Sequence, residues 1–346
     1  MTRIAAFGSL GPRCSLLRGQ YYRGSLHSHF SAQPKHAFLT LFGLCILAAI
    51  HYLSISAETM LERHLTIGQI ADLYRCELVD LYPRREIDTF IYMVCEDLMH
   101  MSRADVLLSG DEPVLEPYLN RMMDILSGLK QGRPIQHLLG KMVFYGLPLE
   151  VGPQVLIPRP ETEELVHWLI QENAELDGSL MDICTGSGCI ALAAKSHLPA
   201  ARVSGVDNSV NALNTACRNA RNNKLNIDFF HFDVLEQQSF GFVEYDVIVS
   251  NPPYVKQSEQ GGIEPHVLNH EPHEALFVPD DEPLLFYRRI VDLADSHLSR
   301  GGALYFEINR DHGAELCQLL RDRGYMEVEC RKDINKMDRM VRARKC

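Results

Sequence analysis

Apolar residues recur with two different periods along the chain after residue 61. Over residues 62–132 they return every three or four positions, which is the period of an amphipathic helix. Two such helical faces are formed by Ile87, Phe90, Ile91 and Val94, and by Leu115, Leu119, Met122, Met123, Leu126 and Leu129. From Ser179 onwards, short apolar runs alternate with helical patterns, which predicts a parallel sheet with helices on both faces. The expected fold class is α/β, with a small helical domain in front of it.

The same pattern predicts the individual elements of the sheet region. The strands are expected at Leu180–Cys184, Val203–Val206, Ile227–His231, Tyr245–Ser250 and Ala303–Ile308. The helices are expected at Cys189–His197, Val210–Asn222, Pro283–His297 and Gly313–Arg323. Two further apolar segments, Met326–Cys330 and Met340–Arg344, flank a polar turn and predict an antiparallel hairpin that closes the sheet.

Short β-rich runs join the helical region to the sheet region. Val143–Tyr145 and Leu147–Val151 flank Gly146, which predicts a hairpin within residues 133–159. Acidic residues then open a helix at Glu161, where they complement the helix dipole. We therefore expect an N-terminal extension at 1–59, a helical domain at 60–132, a β-hairpin linker at 133–159 and an α/β domain at 160–346. From its position beside the α/β domain, the helical domain is expected to dock a substrate.

Residues 1–57 differ from the rest of the chain because they contain five basic residues and no Asp or Glu. Within them, Ala37–Ile50 is nearly all apolar. Three interpretations are open: a secretory or membrane-spanning segment, an acid-free transit peptide, and an upstream extension outside the working protein. We favour the extension, because Met60 offers an internal start and residues 1–59 contribute no motif. We expect no membrane association and a cytoplasmic location.

Composition and charge exclude several classes of protein. The chain has 346 residues, is 46% hydrophobic and contains 23 Gly and 17 Pro, so it is neither collagen-like nor disordered. The net charge is -11; residues 1–57 hold five of the 34 basic side chains and none of the 45 acidic ones, so the remainder carries -16. A surface this acidic is poorly suited to binding the negatively charged backbone of a nucleic acid. It favours a small molecule or a basic protein partner, without direct nucleic-acid contact.

The cysteines and histidines lack a recognisable disulfide or metal pattern. None of the ten cysteines belongs to a C-x-x-C pair, and most lie in apolar runs, which is typical of buried thiols in a reducing compartment. The H-E-P-H run at His270–His273 lacks the i,i+4 histidine spacing of a zinc-binding helix, and Pro272 disfavours a helix there. We expect no metal site.

A glycine-rich turn follows the first predicted strand. Gly186, Gly188 and Ala191 match the G-x-G-x-x-G/A pattern of nucleotide-binding loops, in which glycine lets the backbone approach a ligand closely. Asp207 ends the second strand, where a carboxylate can accept hydrogen bonds from both hydroxyls of a ribose. The alternative for Asp207 is a helix N-cap. The glycine pattern by itself is shared by dinucleotide and nucleoside sites.

The sequence Asn251-Pro252-Pro253-Tyr254 follows the apolar strand segment Val247–Ser250. Consecutive prolines end the strand, remove two N–H donors and hold the residues before them in extended conformations. Two acceptors remain beside the Tyr254 ring: the Asn251 side-chain oxygen and the Pro252 carbonyl. Ligands of open α/β sheets bind at the carboxyl ends of the strands, so this corner fits a planar NH₂ group. The alternative is a simple loop, since N-P and P-P are common loop dipeptides.

Several separated motifs together resemble one family. The N-P-P-Y corner and the D-x-x-T-G-S-G loop are similar to those of amino-methyltransferases that use S-adenosylmethionine. Pro134–Gly140 and Ile157–Glu163 narrow the resemblance to the peptide chain release factor N5-glutamine methyltransferases, over roughly residues 65–345. The resemblance implies a Rossmann-like class I methyltransferase sheet, S-adenosyl-L-methionine as methyl donor, and transfer to N5 of the glutamine in the GGQ motif of class-I peptide chain release factors.

The resemblance also implies roles for individual residues. The residues implied to bind the cofactor are Cys184, Thr185, Gly186, Ser187 and Gly188 at its methionine part, Asp207 at its ribose, Asp233 and Val234 at its adenine, and Asn251. Those implied to hold the substrate glutamine are Asn251, Pro252, Pro253 and Tyr254, of which Asn251, Pro252 and Tyr254 are the catalytic set. Two positions depart from the family pattern: Cys184 replaces a glycine found in many members, and Val234 replaces a residue that can be aromatic.

Other activities share part of these motifs. A nucleic-acid adenine N6-methyltransferase presents the NH₂ of a flipped base to a similar corner, but the acidic charge and the lack of a basic recognition domain argue against it. An NAD-dependent oxidoreductase is supported by the glycine loop alone. A non-catalytic binding module is disfavoured because Asn251 and the glycine loop are intact. We expect a monomer whose acidic surface docks a basic translation factor.

Overall fold

The computed structural model describes residues 65–239, 241 and 243–346, so the predicted extension at 1–59 lies outside the described residues. Its first helices are α1 (Ile67–Leu78), α2 (Arg84–Met99), α3 (Arg103–Leu108), α4 (Glu116–Lys130) and α5 (Ile135–Leu139). The α1 helix begins where the Thr66 hydroxyl accepts from the Gln69 N–H while the Gln69 side chain accepts from the Thr66 N–H. The apolar faces of these helices pack into one core cluster, which confirms the predicted helical period.

A hairpin follows the helices. Strands β1 (Lys141–Phe144) and β2 (Leu147–Glu150) pair antiparallel, with Phe144 opposite Leu147. The two turn residues, Tyr145 and Gly146, both have positive φ angles of 47° and 80°, as a tight hairpin turn requires. The predicted hairpin is confirmed, although helix α5 precedes it within the same segment.

The central sheet has seven strands. They are β3 (Ser179–Ile183), β4 (Arg202–Asp207), β5 (Asp228–His231), β6 (Tyr245–Ser250), β9 (Leu298–Glu307), β10 (Met326–Lys332) and β11 (Asp338–Arg344). The strands β7 (Val255–Lys256) and β8 (Phe277–Val278) form a separate parallel pair. The order in the large sheet is β10-β11-β9-β6-β3-β4-β5; the strands from β5 to β9 run parallel, and β11 and β10 add an antiparallel hairpin. This confirms the predicted α/β class and the closing hairpin.

One strand differs clearly from its prediction. Strand β9 begins at Leu298, whereas the apolar pattern places its start at Ala303. Leu298 pairs with Tyr245, and the pairing then shifts before it resumes between Ala303 and Val247. The polar and glycine residues of this irregularity interrupt the apolar run, and Gly301 adopts a φ of 78°. The apolar run therefore marks only the regular half of the strand.

Helices cover both faces of the sheet. They are α6 (Pro160–Glu172), α7 (Cys189–His197), α8 (Val210–Asn222), α9 (Pro265–His270), α10 (Leu285–His297) and α11 (Gly313–Asp322). Alternate residues of one strand enter two different core clusters. In β6, Ile248 packs with residues of α10 and α11, while Val247 and Val249 pack with residues of α6 and α7. The sheet is thus buried on both faces, as its parallel strands require.

Among residues 65–346, positions 240 and 242 excepted, no helix is long and apolar enough to cross a membrane. The described part of the chain packs as one unit. The division into a helical domain, a hairpin linker and a catalytic domain therefore stays a prediction.

Candidate active site

Two loops leave the carboxyl ends of adjacent central strands. Strands β3 and β6 pair in parallel, with Ile183 opposite Ser250, and the Ser250 hydroxyl donates to the Ile183 carbonyl at 2.6 Å. The chain order of the sheet reverses between these two strands. In open α/β sheets such a reversal opens a crevice where ligands bind. The glycine loop after β3 and the N-P-P-Y corner after β6 therefore face the same crevice.

An open pocket of about 910 Å³, solvent at its mouth included, occupies this crevice. Nine of the predicted site residues line it: Cys184, Thr185, Gly186, Ser187, Asp207, Asp233, Val234, Asn251 and Pro253. Gly188, Pro252 and Tyr254 are outside the lining. Gly188 caps helix α7, Pro252 is buried beside the pocket, and the Tyr254 hydroxyl donates to a buried carboxylate, that of Glu307. The pocket also involves residues that the sequence did not single out, among them Gln154, Leu156, Phe232 and Phe286.

The backbone of the glycine loop is left-handed at three positions. The φ angles of Cys184, Gly186 and Gly188 are 60°, 55° and 81°. A Cβ on Gly188 would lie 2.7 Å from a methyl carbon of Leu192 and 3.0 Å from Cβ of Ala216, so only glycine lets the loop pack against its neighbours. Cys184 adopts the same backbone region with a side chain. A positive φ of this size is the backbone region that glycine adopts without strain.

A buried carboxylate under the loop was missed by the sequence reasoning as a functional group. Asp182 is fully buried, and its Oδ2 accepts from the Thr185 hydroxyl at 2.6 Å and from the Ala191 N–H at 3.2 Å. Burial raises the pKa of Asp182 to about 7, and the nearby charge of Asp207 adds to this rise. The carboxylate therefore ties the start of the loop to the first turn of α7. An acidic residue inside an apolar strand was the available signal.

Asp207 is held in place by backbone donors. Its Oδ2 accepts from the Gly186 N–H at 2.9 Å, and its Oδ1 accepts from the Ser209 N–H at 2.9 Å. Burial raises the pKa of Asp207, while these hydrogen bonds oppose the rise. Each carboxylate oxygen has a second lone pair, so the group keeps the capacity to accept from a ligand hydroxyl.

The pocket has the chemistry that a nucleoside with an amino-acid tail requires. The Ser187 hydroxyl is 2% exposed, lines the pocket, and has no hydrogen-bond partner among the described residues. A buried polar atom without a partner is costly unless a ligand satisfies it. The lining combines the Asp207 carboxylate with the apolar side chains of Val234 and Phe232, which fits S-adenosylmethionine.

The N-P-P-Y corner is supported from behind by two buried side chains. The Asn251 amide nitrogen donates to the Thr162 hydroxyl oxygen at 3.3 Å, and that hydroxyl donates to Glu307 Oε2 at 2.6 Å. The Tyr254 hydroxyl donates to the other oxygen, Glu307 Oε1, at 3.1 Å. Burial raises the pKa of Glu307, and burial together with the Glu307 carboxylate raises the pKa of Tyr254. Sequence reasoning assigned no role to Glu307, although it is an acid within an apolar strand.

The H-E-P-H run has a structural role in the described protein. The side chain of Glu271 is fully buried, accepts from the Arg159 guanidinium at 2.6 Å and accepts from the Ile157 N–H at 3.0 Å. His273 and His270 contact the backbone carbonyls of Leu268 and Gln131 through Nε2. The Arg159–Glu271 ion pair therefore fastens the segment before α6 to the segment that follows the N-P-P-Y corner.

Comparison with known proteins gives consistent results. The Methyltransferase small domain family matches residues 161–272, and the PrmC N-terminal domain family matches residues 82–140. A release factor glutamine methyltransferase of Flavobacterium psychrophilum is 42% identical over 269 residues, covering 77% of this chain and 94% of that protein. One of Bacteroides thetaiotaomicron is 38% identical over 277 residues, covering 80% and 99%.

A solved structure is also similar to this chain. The release factor-specific protein-(glutamine-N5) methyltransferase of Alicyclobacillus acidocaldarius is 27% identical, with 57% of this chain and 98% of that chain covered and a TM-score of 0.35. The two curated relatives exceed 30% identity and are covered almost completely by this sequence. The sheet order, the crevice and the match to the Methyltransferase small domain family agree on a class I methyltransferase fold. The chain belongs to the release factor glutamine methyltransferase family.

Proposed function

We propose that this protein transfers a methyl group from S-adenosyl-L-methionine to the N5 amide nitrogen of the GGQ glutamine in class-I peptide chain release factors. Family membership supports the reaction class. The observation that carries the proposal is the position of Asn251 on the wall of the same pocket as the glycine loop and Asp207. A carboxamide held by Asn251 therefore lies next to whatever the glycine loop binds.

The residues proposed to hold the cofactor line the crevice. The glycine loop from Cys184 to Gly188 encloses the methionine part, with the unpartnered Ser187 hydroxyl available to its polar end. Asp207 accepts from the ribose hydroxyls, and Asp233 and Val234 flank the adenine. When bound, S-adenosyl-L-methionine supplies an electrophilic methyl group attached to a positively charged sulfur. The sulfur is a good leaving group because it becomes a neutral thioether.

The corner after β6 is proposed to hold the substrate amide. Asn251 Oδ1 and the Pro252 carbonyl accept hydrogen bonds from the two N–H groups of the glutamine side chain. An amide nitrogen is a weak nucleophile because its lone pair is delocalised, as the peptide rotation barrier of about 18–20 kcal/mol indicates. Holding both N–H groups fixes the amide plane and directs the nitrogen at the methyl group. Positioning and aimed dipoles then carry most of the catalysis.

Proton transfer is a late event in this scheme. Bound S-adenosyl-L-methionine would supply its methyl group directly to the nitrogen that Asn251 and Pro252 hold, so no covalent intermediate with the enzyme would form. The methylated amide would then release its extra proton to water, which removes the need for a strong general base at the start. Asn251 and Pro252 are the residues that touch the reacting group, and the Tyr254 ring lies beside them.

The partner is proposed to be a basic protein surface around the GGQ loop. The sequence outside residues 1–57 carries a net charge of -16, which favours approach of a basic translation factor in the cytoplasm. The helical segment α1–α4 is the proposed docking region, and the proposed state of the enzyme is a monomer.

The test is methyl transfer from labelled S-adenosylmethionine to a purified class-I release factor. We expect label on the intact factor and none on a factor whose GGQ glutamine is changed to alanine. A parallel reaction with adenine-containing DNA and RNA tests the alternative substrate. Label on the altered factor, or on nucleic acid in place of the factor, would contradict the proposed substrate.

A further inference from the structure

A chain of hydrogen bonds runs from the wall of the pocket into the protein interior. Asn251 borders the pocket; Thr162, in the first turn of α6, and Glu307, at the end of β9, are each 1% exposed. The three side chains come from separate parts of the chain: Asn251 and Thr162 are 89 positions apart in sequence, and Thr162 and Glu307 are 145 positions apart. Their convergence behind the N-P-P-Y corner is therefore a product of the tertiary fold.

With Glu307 ionised, the donors and acceptors along this chain have only one consistent arrangement. A carboxylate can only accept hydrogen bonds, and a hydroxyl has a single hydrogen to donate. The 2.6 Å contact with Glu307 takes the hydrogen of Thr162, so the Thr162 oxygen must accept from Asn251. The NH₂ end of the Asn251 amide is thereby committed to Thr162. Oδ1 is the end that remains for a ligand.

Glu307 accepts hydrogen bonds through both its side chain and its backbone. Its second oxygen, Oε1, accepts from the Tyr254 hydroxyl at 3.1 Å, and its backbone carbonyl accepts from the Tyr287 hydroxyl at 3.1 Å. A hydrogen-bond network away from water is electrostatically stronger than an exposed one. The Glu307 carboxylate is thus a fixed acceptor that the Thr162 hydroxyl cannot easily leave.

We propose that Thr162, backed by Glu307, is a positioning residue that holds the Asn251 amide with Oδ1 presented to the substrate carboxamide. This inference rests on the proposed function. Without the Thr162 hydroxyl, the Asn251 side chain can turn and present its NH₂ to the NH₂ of the substrate. Two donors would then face each other, and the substrate nitrogen would lose its alignment with the methyl group.

The first test compares Thr162→Val, which removes the hydroxyl at nearly equal size, with Thr162→Ser, which keeps it. We expect Thr162→Val to lower kcat by roughly 10- to 100-fold, the scale of a misaligned reacting group, with little change in KM for the release factor. Thr162→Ser should restore most of that loss. Affinity for S-adenosylhomocysteine and the melting temperature serve as readouts of binding and folding that do not depend on turnover.

The second test asks whether Thr162 acts through Asn251. If it does, the double variant Thr162→Val/Asn251→Ala loses no more turnover than Asn251→Ala alone, because the group being positioned is already absent. If Thr162 only supports the fold, the two losses multiply. Glu307→Gln, which can accept at one oxygen only, gives a second route should Thr162→Val fold poorly. Its effect should likewise be non-additive with that of Asn251→Ala.

The outcomes separate this inference from the proposed function. If the wild-type protein does not methylate the release factor, the proposed function fails, and this inference fails with it. If the wild-type protein is active while Thr162→Val keeps full kcat, Thr162→Ser is as impaired as Thr162→Val, or the losses multiply, the positioning role alone is overturned. Low kcat with non-additive losses and unchanged S-adenosylhomocysteine affinity supports it.

Discussion

Gly186 and Asp207 are joined by a hydrogen bond of 2.9 Å from the glycine N–H to the carboxylate Oδ2, across 21 residues of sequence. The bond links the loop after β3 to the end of β4. It places the proposed ribose acceptor and the proposed methionine-binding loop in one rigid unit. The cofactor crevice is thus partly organised by the protein's own hydrogen bonds, before any ligand is considered.

Asp207→Asn should weaken cofactor binding. An asparagine side chain offers one oxygen in place of two, so it cannot accept from Gly186, Ser209 and a ribose in the same arrangement. Loss of a hydrogen bond to a charged group costs about 1.5–3 kcal/mol, which is roughly a 10- to 100-fold rise in the Kd for S-adenosylhomocysteine. Calorimetry measures this Kd, and Asp228→Asn, at an exposed position of β5, is the matched control. Equal affinity of Asp207→Asn and wild type would refute the ribose assignment.

Cys184 should tolerate glycine and reject valine. Its φ of 60° is disfavoured for any residue with a side chain and most of all for a β-branched one. We expect Cys184→Gly to fold with stability within about 1 kcal/mol of wild type, since relief of strain offsets the lost side chain. Cys184→Val should be destabilised by about 2 kcal/mol or more. Chemical denaturation distinguishes these results, and equal stability of the two variants would show that the loop conformation imposes no such constraint.

Asp182 should make the protein less stable as pH rises from about 4 to 7. Its pKa is raised by burial from 3.8 to about 7, so in this range the folded state binds a proton that the unfolded chain has released. Stability then falls with increasing pH, by up to about 4 kcal/mol at 1.36 kcal/mol per pKa unit. Asp182→Asn, which keeps an oxygen for Thr185 and Ala191, should flatten this part of the profile. Parallel profiles for wild type and variant, from denaturation at a series of pH values, would contradict the assignment.

Local sequence signals predicted most of the fold. The helices Cys189–His197 and Val210–Asn222 and the strand Tyr245–Ser250 have the predicted bounds. The start of β9 was missed because polar and glycine residues at a register shift separate Leu298 from the apolar run that begins at Ala303. An apolar run records a regular strand that is buried on both faces, and it is interrupted at an irregularity.

The site was predictable only where one short segment carries it. The glycine loop and the N-P-P-Y corner are each one continuous stretch of sequence. Nine residues predicted from them and from the family resemblance line the pocket. Thr162 and Glu307 are 145 residues apart, and nothing in the local sequence of either indicates the other. Glu307 stands out in its strand as an acid among apolar residues, but its partners are set by tertiary packing. Only the structure shows the hydrogen bonds that join these side chains.

The central claim is that Asn251 holds the substrate glutamine beside the methyl donor. Its most direct test is peptide mass mapping of a class-I release factor after reaction with wild-type protein or Asn251→Ala, with S-adenosylhomocysteine affinity measured for both. We predict one added methyl group on the GGQ glutamine with wild type, almost none with Asn251→Ala, and cofactor affinity largely kept. Equal methylation of that glutamine by Asn251→Ala, or a methyl group at another residue, would contradict the claim.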